Sequence, residues 1–485
     1  MIDFLTNNIW ITLLIINYLL VIVVAFFILL KNINPTKTVS YIIVLAFFPF
    51  FGLIVYYLFG QEYRKDKIFN RKHILNQKII TNVNKQLEAE KQEITDLKND
   101  LLEERIKLVK LLNSSKESPL TTKNDVKIIK NGENKFKFLL EDLKNAENHI
   151  HLEYYILMDD KIGMKIIDIL CEKALQGLSV KLTIDDVGSS ISRKVKKRLT
   201  KSGVEWHSFM PVLFPGFTGK MNYRNHRKIA IIDGKIGYIG GINISDTYLN
   251  YDDSDAYWRD THLRIIGEAV KALQIHFLMT WEFVSGKDID IKNNYFPDMV
   301  CDQHLPMQIA ASGPDTDWAN IMEVIFTAIV TSEKYVYLTT PYFIPNDQII
   351  TAMQVASKSG VDVRLLIPKD SDSWTAKHAT NSYLESLMEA NVKVYRYCKG
   401  FIHAKTMVVD DMFSTVGTTN MDYRSFNINF EINAMMYNAE KCKELKSHFI
   451  EDLEDSEEVD LERWRNRSNA QKLKESYSRL WAPLL

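Results

Sequence analysis

The sequence predicts an α/β fold: two tandem α/β domains related by a pseudo-twofold axis, preceded by an N-terminal hairpin of two transmembrane helices. Three observations carry this expectation. The first sixty residues hold two uncharged runs, Ile9 to Leu30 and Val39 to Gly60, each long enough as a helix to cross about 30 Å of hydrocarbon. A constellation of His, Lys, Asp, Gly and Asn occurs at residues 226–243 and again, in one register, at 403–420. Each copy follows the same succession of short β-branched runs and helical stretches, which marks strands alternating with helices in an internally duplicated chain.

The first apolar run has no Lys or Arg ahead of Lys31 and no small-residue cleavage site behind it, which favours a retained anchor over a cleaved secretory leader. Lys31 and Lys37 lie between the two runs, whereas Arg64, Lys65, Lys67, Arg71 and Lys72 crowd the exit of the second. The positive-inside bias then puts both termini and the catalytic part in the cytosol, on a multi-pass protein of the cell membrane. Pro49 and Gly52 interrupt the second run, so a kinked or re-entrant hairpin is the other arrangement the sequence allows. Residues 61–122 read as a helical connector, free of Gly and Pro up to Pro119 and rich in Lys, Glu, Gln and Leu. Ile80, Leu87, Ile94, Leu101 and Leu108 recur every seven residues, a seam for packing on the globular part or on a second subunit, which makes a homo-oligomer an expected partner.

The two repeats are expected at 123–310 and 311–485, the second ending in a helical tail. In the first, NHIHLEYYIL is a strand, a helix follows to Gln176, and LSVKLTIDDVGSS is the next strand; the second offers KYVYLTTPYFI, a helix to Ser359, and VDVRLLIPKDS. SGVEWHSF and ANVKVYRY then precede the two motifs. The apolar end, Tyr477 to Leu485, is expected to dock on the domain.

The organising stretch is NHRKIAIIDGKIGYIGGIN, where His226, Lys228 and Asp233 form H-x-K-x4-D ahead of Gly240, Gly241 and Asn243. Ile229 and Ile231 read as a buried strand closed by the Asp233-Gly234 turn, and the strand period of two sets His226 and Lys228 on one face. HAKTMVVDDMFSTVGTTN repeats the pattern with His403, Lys405, Asp410, Gly417 and Asn420 at the same offsets. Two unrelated amphipathic strands would not hold five registers in common.

Two imidazoles across a cleft can divide a displacement at phosphorus, one attacking to give a phosphohistidine and the other moving the proton. Lys228 and Lys405 supply fixed positive charge for the non-bridging oxygens, with Asn243 and Asn420 as further donors. Two lysines beside two histidines would repel a cation, so no metal and no cofactor is expected. The four cysteines, Cys171, Cys301, Cys398 and Cys442, show neither ligand nor disulfide spacing. Asp233 and Asp410 belong to the catalytic motif, while their place at the strand ends suits the holding of turns or backbone. Asp260, in WRDTH, and Glu431, in NINFE, are expected to orient the imidazoles. Lys and Arg number 60 against 61 Asp and Glu, a net charge of −1, so nucleic acid is not an expected partner.

The doubled H-x-K-x4-D with G-G/T-x-N resembles the phospholipase D superfamily. Within it, NPTKTVSYIIVLAFFPFFGLIVYYLFG, IDDVGSS, NYRNHRKIAIIDG, YWRDTHLRIIGEAV, SGPDTDW, TTPYFIPND, FIHAKTMVVDD, TTNMDYRSFNINFE and RLWAPLL resemble the bacterial cardiolipin synthases, over nearly the whole chain except residues 61–118. The resemblance implies metal-independent transphosphatidylation, in which one phosphatidylglycerol gives its phosphatidyl group to a second, releasing glycerol and forming cardiolipin. It also implies His226 as nucleophile and His403 as acid/base, a choice the repeat symmetry alone leaves open. Thr418 stands where many members carry Ser or Gly, and its hydroxyl is expected to remain available to the phosphate.

Between Trp206 and His226 the stretch FMPVLFPGFTGKMNYRN has no counterpart in the second half. Apolar through Phe209, Met210, Val212, Leu213, Phe214 and Phe217, it ends in Lys220, Arg224 and Arg227. It is expected either to dip into the bilayer edge and pass anionic headgroups to the cleft, with Arg224 binding substrate, or to pack as an ordinary loop. Tyr342 and Phe343 are candidates to wall the cleft or to fill the core. The expected partners are thus phosphatidylglycerol and the bilayer. A membrane-anchored hydrolase would use the same site with water as acceptor. A catalytically silent lipid-binding scaffold would keep the fold, but it has no need of intact His, Lys and Asn in both halves.

Overall fold

The computed structural model describes residues 9–30, 35–48, 50–53, 106–113, 118–211, 223–251, 257–289, 293–299, 301–315 and 319–482. They fall into two bodies, one holding residues 9–53 and the other everything described from residue 106 onward. The seven-residue seam of the connector, apart from Leu108, and the apolar stretch 212–222 lie outside the described residues.

In the smaller body the helix Ile9–Leu30, with a mean hydropathy of 3.1 in its most apolar window, is the one helix among the described residues that is long and apolar enough to cross a membrane. A second helix, Pro35–Phe47, packs Leu45 against Val21 and Ile28. It does not run on straight. A Cβ added to Gly52 would lie 2.8 Å from the Leu45 Cα, whereas residues seven apart in a straight helix are about 10 Å apart. The chain therefore bends sharply after Phe47, where the sequence carries a proline that cannot donate the next helical hydrogen bond. Residues 54–60, the rest of the expected second span, lie outside the described residues.

In the larger body, beside two two-stranded sheets, one 15-stranded sheet runs through both repeats. The first supplies β1 (Thr121–Lys130), β2 (His149–Tyr154), β3 (Ser179–Asp185), β4 (Glu205–Phe209), β5 (Lys228–Ile232), β6 (Ile236–Gly240), β7 (Tyr257–Arg259) and β8 (Thr261–Gly267). The second supplies β9 (His304–Ser312), β10 (Tyr335–Thr339), β11 (Phe343–Ile344), β12 (Asp362–Pro368), β13 (Lys393–Tyr397), β14 (Gly400–Ile402), β15 (Thr406–Val409), β16 (Phe413–Gly417), β17 (Met421–Asp422), β18 (Glu431–Met436) and β19 (Ser456–Glu458). Outward from the contact of β1 with β9, the order is β1-β8-β6-β5-β2-β3-β4 on one side and β9-β18-β16-β15-β10-β12-β13 on the other, closed by β19. Directions match as well. β2 runs parallel to β3 and antiparallel to β5, as β10 does to β12 and β15. β9, which crosses residue 310, pairs with β18 on one side and β1 on the other, so the sheet runs on from one repeat into the other.

The period of two along each strand separates three apolar cores. Ile229 and Ile231 of β5 join Val408, Val416 and Ile432 of the second half in a shared core, with Phe277 and Trp281 from the helix Ala269–Ser285. Ala230 and Ile232 point the other way, under Ile166 and Leu170 of the helix Lys161–Leu175. Met407 and Val409 do the same beneath Ile325, Met353 and Leu384. At the C-terminus Ala482 joins this last core, but Tyr477 and Leu480 stay exposed, so the tail docks through only part of its apolar surface.

Asp233 and Asp410 fasten the outer ends of the two motif strands. Asp233 accepts from the backbone N–H groups of Glu147, Asn148 and His149 at 2.9, 2.7 and 2.9 Å. Asp410 accepts from Glu333, Lys334 and Tyr335, each at 2.8 Å. Both sit at positive φ, 56° and 54°, where a short polar side chain is tolerated. They stand about 15 Å along the strand from the lysines, and their carboxylates are occupied by backbone donors. Replacing Asp410 by Ala leaves three backbone donors without their acceptor, and we expect a loss of about 2–3 kcal/mol. Thermal unfolding in detergent should show a lowered midpoint, with Asp410→Asn, which keeps one acceptor oxygen, falling less.

Candidate active site

Each histidine stands just ahead of its strand, on a segment that the other half holds. Asn225 bridges Phe430, and the His226 N–H donates to the Phe430 carbonyl at 3.0 Å. In the other half β14 pairs with β7, and the His403 N–H donates to the Arg259 carbonyl at 2.7 Å. Phe430 and Arg259 each come one residue before a carboxylate. The main-chain register therefore delivers the side chains crosswise: His226 Nδ1 lies 2.9 Å from Glu431 Oε1, and His403 Nδ1 lies 2.7 Å from Asp260 Oδ2. With Nδ1–H donated to a carboxylate, Nε2 is the atom each imidazole keeps for chemistry.

The residue after each motif glycine sits behind the carboxylate. The Thr418 hydroxyl donates to Glu431 Oε2 at 2.5 Å and accepts from the Ile432 N–H at 2.9 Å. It is fully buried, with its hydroxyl turned to the carboxylate. The matching residue in the first half, Gly241, lies so close to Asp260 that an added Cβ would meet Oδ1 at 2.2 Å. Asp260 instead accepts from the Thr261 N–H at 2.7 Å. Each lysine folds back onto its own histidine, Lys228 Nζ donating to the His226 carbonyl and Lys405 Nζ to that of His403, both at 2.6 Å.

Burial dominates the proton affinities here. It pulls the His226 imidazole down to about 4, against the opposing pull of Glu431. His403 is driven well below the ordinary histidine range by burial and then by the charges of Lys405 and Lys228. Lys405 also depresses His226, so each lysine acts on the imidazole of the other half and the two motifs converge. Lys405 falls to about 8 and Lys228 lies well below the usual lysine range, both chiefly through burial. The carboxylates differ. Burial raises Asp260 to about 6 despite Lys405, whereas for Glu431 the push of burial is outweighed by His226, Lys228 and the Thr418 hydroxyl, which hold it below the usual range.

Both imidazoles open on one cavity of about 660 Å³, also lined by Asn243, Asn420, Arg224 and Arg424. Asn243 is held by the Ile156 N–H, at 3.1 Å, and by the Tyr248 hydroxyl. Lys228, Lys405, Asp260, Glu431 and Thr418 stand behind this lining. Tyr342 lines the cavity with its hydroxyl on Asp372, at 2.7 Å, while Phe343 is core. The surroundings of the two rings differ: Trp258, Phe401 and Tyr248 stand 5.4, 5.9 and 5.9 Å from the His403 ring, against Tyr155 at 5.0 Å from His226. The sequence reading missed Arg424, Trp258 and Tyr248. An arginine four residues past the motif Asn420, in DYRSF, was the available signal for the first. It also missed Lys135, fully buried, whose Nζ donates to the Ile242 carbonyl at 3.2 Å and so supports the loop carrying Asn243. Among the described residues no three His, Cys, Asp or Glu side chains cluster as a metal site.

Residues 139–281 and 325–453 match the family described as cardiolipin synthase, PLD-like domain, and residues 19–61 match the phospholipase D-nuclease N-terminal family. The chain is 39% identical to the cardiolipin synthase of Geobacillus sp. (strain WCH70), over 96% of this chain and 92% of that one. It is 40% identical to cardiolipin synthase 2 of Bacillus anthracis, over 94% and 88%, and 38% identical to the cardiolipin synthase of Staphylococcus aureus (strain Mu50), over 99% and 97%. Among solved structures, a phosphatidylserine synthase of Haemophilus influenzae Rd KW20 shares the fold, with a TM-score of 0.60 at 13% identity over 78% of this chain and all of that one. With one N-terminal helix fit to span a bilayer, a duplicated strand order and a doubled H-x-K motif, this chain belongs to the phospholipase D-like cardiolipin synthase family.

Proposed function

We propose that this chain converts two phosphatidylglycerol molecules to cardiolipin and glycerol, and that its two histidines share the work. The observation that carries the reading is the crosswise pair of imidazole–carboxylate contacts opening on one cavity. His226 Nε2 attacks the donor phosphorus, the bond to the glycerol oxygen breaks, and His403 in its protonated form, its charge supported by the Asp260 carboxylate, gives that oxygen a proton. His403 then takes the proton from the acceptor hydroxyl as its oxygen bonds phosphorus and the N–P bond breaks. A neutral His226 suits attack, and burial keeps it neutral at physiological pH. Lys228 and Lys405 lend positive field from behind, and Asn243 and Asn420 face the phosphate. The Lys pair makes a catalytic cation unnecessary and unwelcome.

In this reading the two repeats, β1 to β8 and β9 to β19, are related by a pseudo-twofold axis passing between β1 and β9, with the boundary expected after residue 310 falling inside β9, and residues 61–122 connect them to the anchor. The anchor is a membrane hairpin whose first helix crosses the bilayer and whose second run, bent after Phe47, returns the chain to the cytoplasmic side, where the catalytic body lies with the connector available as a seam between copies.

His226→Ala and His403→Ala should each lower cardiolipin formation about a thousandfold or more, with EDTA leaving the wild-type rate unchanged. Mass analysis of products from purified protein in detergent checks both, and an EDTA-sensitive wild type would sink the metal-free mechanism. The acid side of the pH–rate profile follows from Asp260. Below about pH 6 its carboxyl takes up a proton and no longer supports a charged His403, so kcat/KM should fall about tenfold per pH unit there. Asp260→Asn should abolish that limb and lower the plateau about a hundredfold; an unchanged acid limb would remove Asp260 from this role.

A further inference from the structure

The reaction proposed above brings together two phosphodiesters, and the doubled motif is equipped to handle the one that is transferred. The other, on the acceptor lipid, is equally anionic and must sit in the same cavity while its glycerol hydroxyl reaches phosphorus. Apart from the two histidines, the cationic side chains lining that cavity among the described residues are Arg224 and Arg424. They are neighbours: the Arg424 guanidinium is lowered by burial, and the like charge of Arg224 adds to the effect. Asp422 and Asp185 oppose that repulsion in part, and the phosphate of a bound lipid would add to them. A guanidinium fork also matches two oxygens of a phosphate at once.

Both arginines are built in. Arg224 Nη1 lies 3.3 Å from Asp185 Oδ1, and its carbonyl accepts from the Phe430 N–H at 2.9 Å, inside the bridge that sets His226. Arg424 Nε donates to Asn429 Oδ1 at 3.2 Å. They are also where the repeats part company. At the offsets of Arg224 and Arg424 the other half carries Phe401 and Thr247, although His, Lys, Gly and Asn are kept twice. A doubled set serves the one transferred group; a single arginine pair serves something bound once. Beside it, Asn420 Oδ1 is buried without a partner, an acceptor suited to a glycerol hydroxyl.

Resting on the reading that phosphatidylglycerol is the substrate, we infer that Arg224 and Arg424 form a second anion subsite, which holds the acceptor lipid's phosphate and so selects a lipid hydroxyl over a small neutral alcohol or water. In the transfer the acceptor O–H loses its proton to the acid/base histidine, its oxygen bonds phosphorus, and the N–P bond breaks, while the arginines hold the second phosphate unchanged.

The test gives the full-length enzyme, in detergent micelles, phosphatidylglycerol together with ethanol, and measures cardiolipin and phosphatidylethanol in one sample. Their ratio does not depend on how much protein is folded or on how fast the phosphohistidine forms. Arg424→Gln and Arg224→Gln should each lower the cardiolipin-to-phosphatidylethanol ratio about tenfold, and Arg424→Lys, which keeps the charge but not the fork, should lie between. Both products falling by one factor would make the arginines structural or donor-binding, and an unchanged ratio would remove them from acceptor choice; either overturns the inference. A wild type that makes phosphatidylethanol but no cardiolipin would overturn the parent reading instead.

Discussion

Each imidazole of the site is held by a carboxylate from the opposite half, and the rest of the centre depends on that exchange. It is imposed by the main chain. The His226 N–H on the Phe430 carbonyl and the His403 N–H on the Arg259 carbonyl fix which residue follows, and in both cases the next residue is the carboxylate. Neither repeat alone contains an oriented imidazole. The shared core of β5, β8, β15 and β18 residues is therefore as much a part of the site as the motifs are, because it keeps the two bridges in register.

The charges behind the cavity explain why the arrangement tolerates so little change. Lys228, Lys405, Asp260 and Glu431 are all almost wholly removed from solvent, and an isolated buried charge is too costly to keep. Two ammonium groups set against two carboxylates offset one another, which leaves the His226 imidazole free to be neutral. Removing one member leaves its partners buried and uncompensated, a heavier penalty than the lost contact itself. The fold of each lysine onto the carbonyl of its own histidine adds a mechanical link between this charge cluster and the position of the ring.

What could be read from the sequence is what local spacing encodes. The offsets within H-x-K-x4-D, the strand of alternating isoleucines, the strand–helix succession and the two carboxylates were all legible, since each is a pattern within one stretch of chain. The crossing of His226 to Glu431 was not, because a bridge between Asn225 and Phe430 joins residues that no periodicity relates. The contact of the Thr418 hydroxyl with Glu431, at 2.5 Å, was hidden for a similar reason. The break of the second apolar run after Phe47 was signalled by Pro49, and composition alone could not choose between a kink and a crossing. Arg424 was passed over because it repeats nothing.

That last omission touches on what separates the halves. Strict symmetry would make the two histidines equivalent, while a double displacement needs one to hold a phosphoryl group and the other to move a proton. The divergence lies in the neighbours and not in the motifs. Glu431, with the Thr418 hydroxyl on it, is held below the usual carboxylate range; Asp260, packed against Gly241 where no side chain fits, is raised to about 6. His226 lies on the side with the arginines, and His403 is ringed by Trp258, Phe401 and Tyr248. Duplication supplied a matched pair of imidazoles at one cavity, and the unmatched surroundings make them chemically distinct, so that a pair of identical lipids meets two different environments.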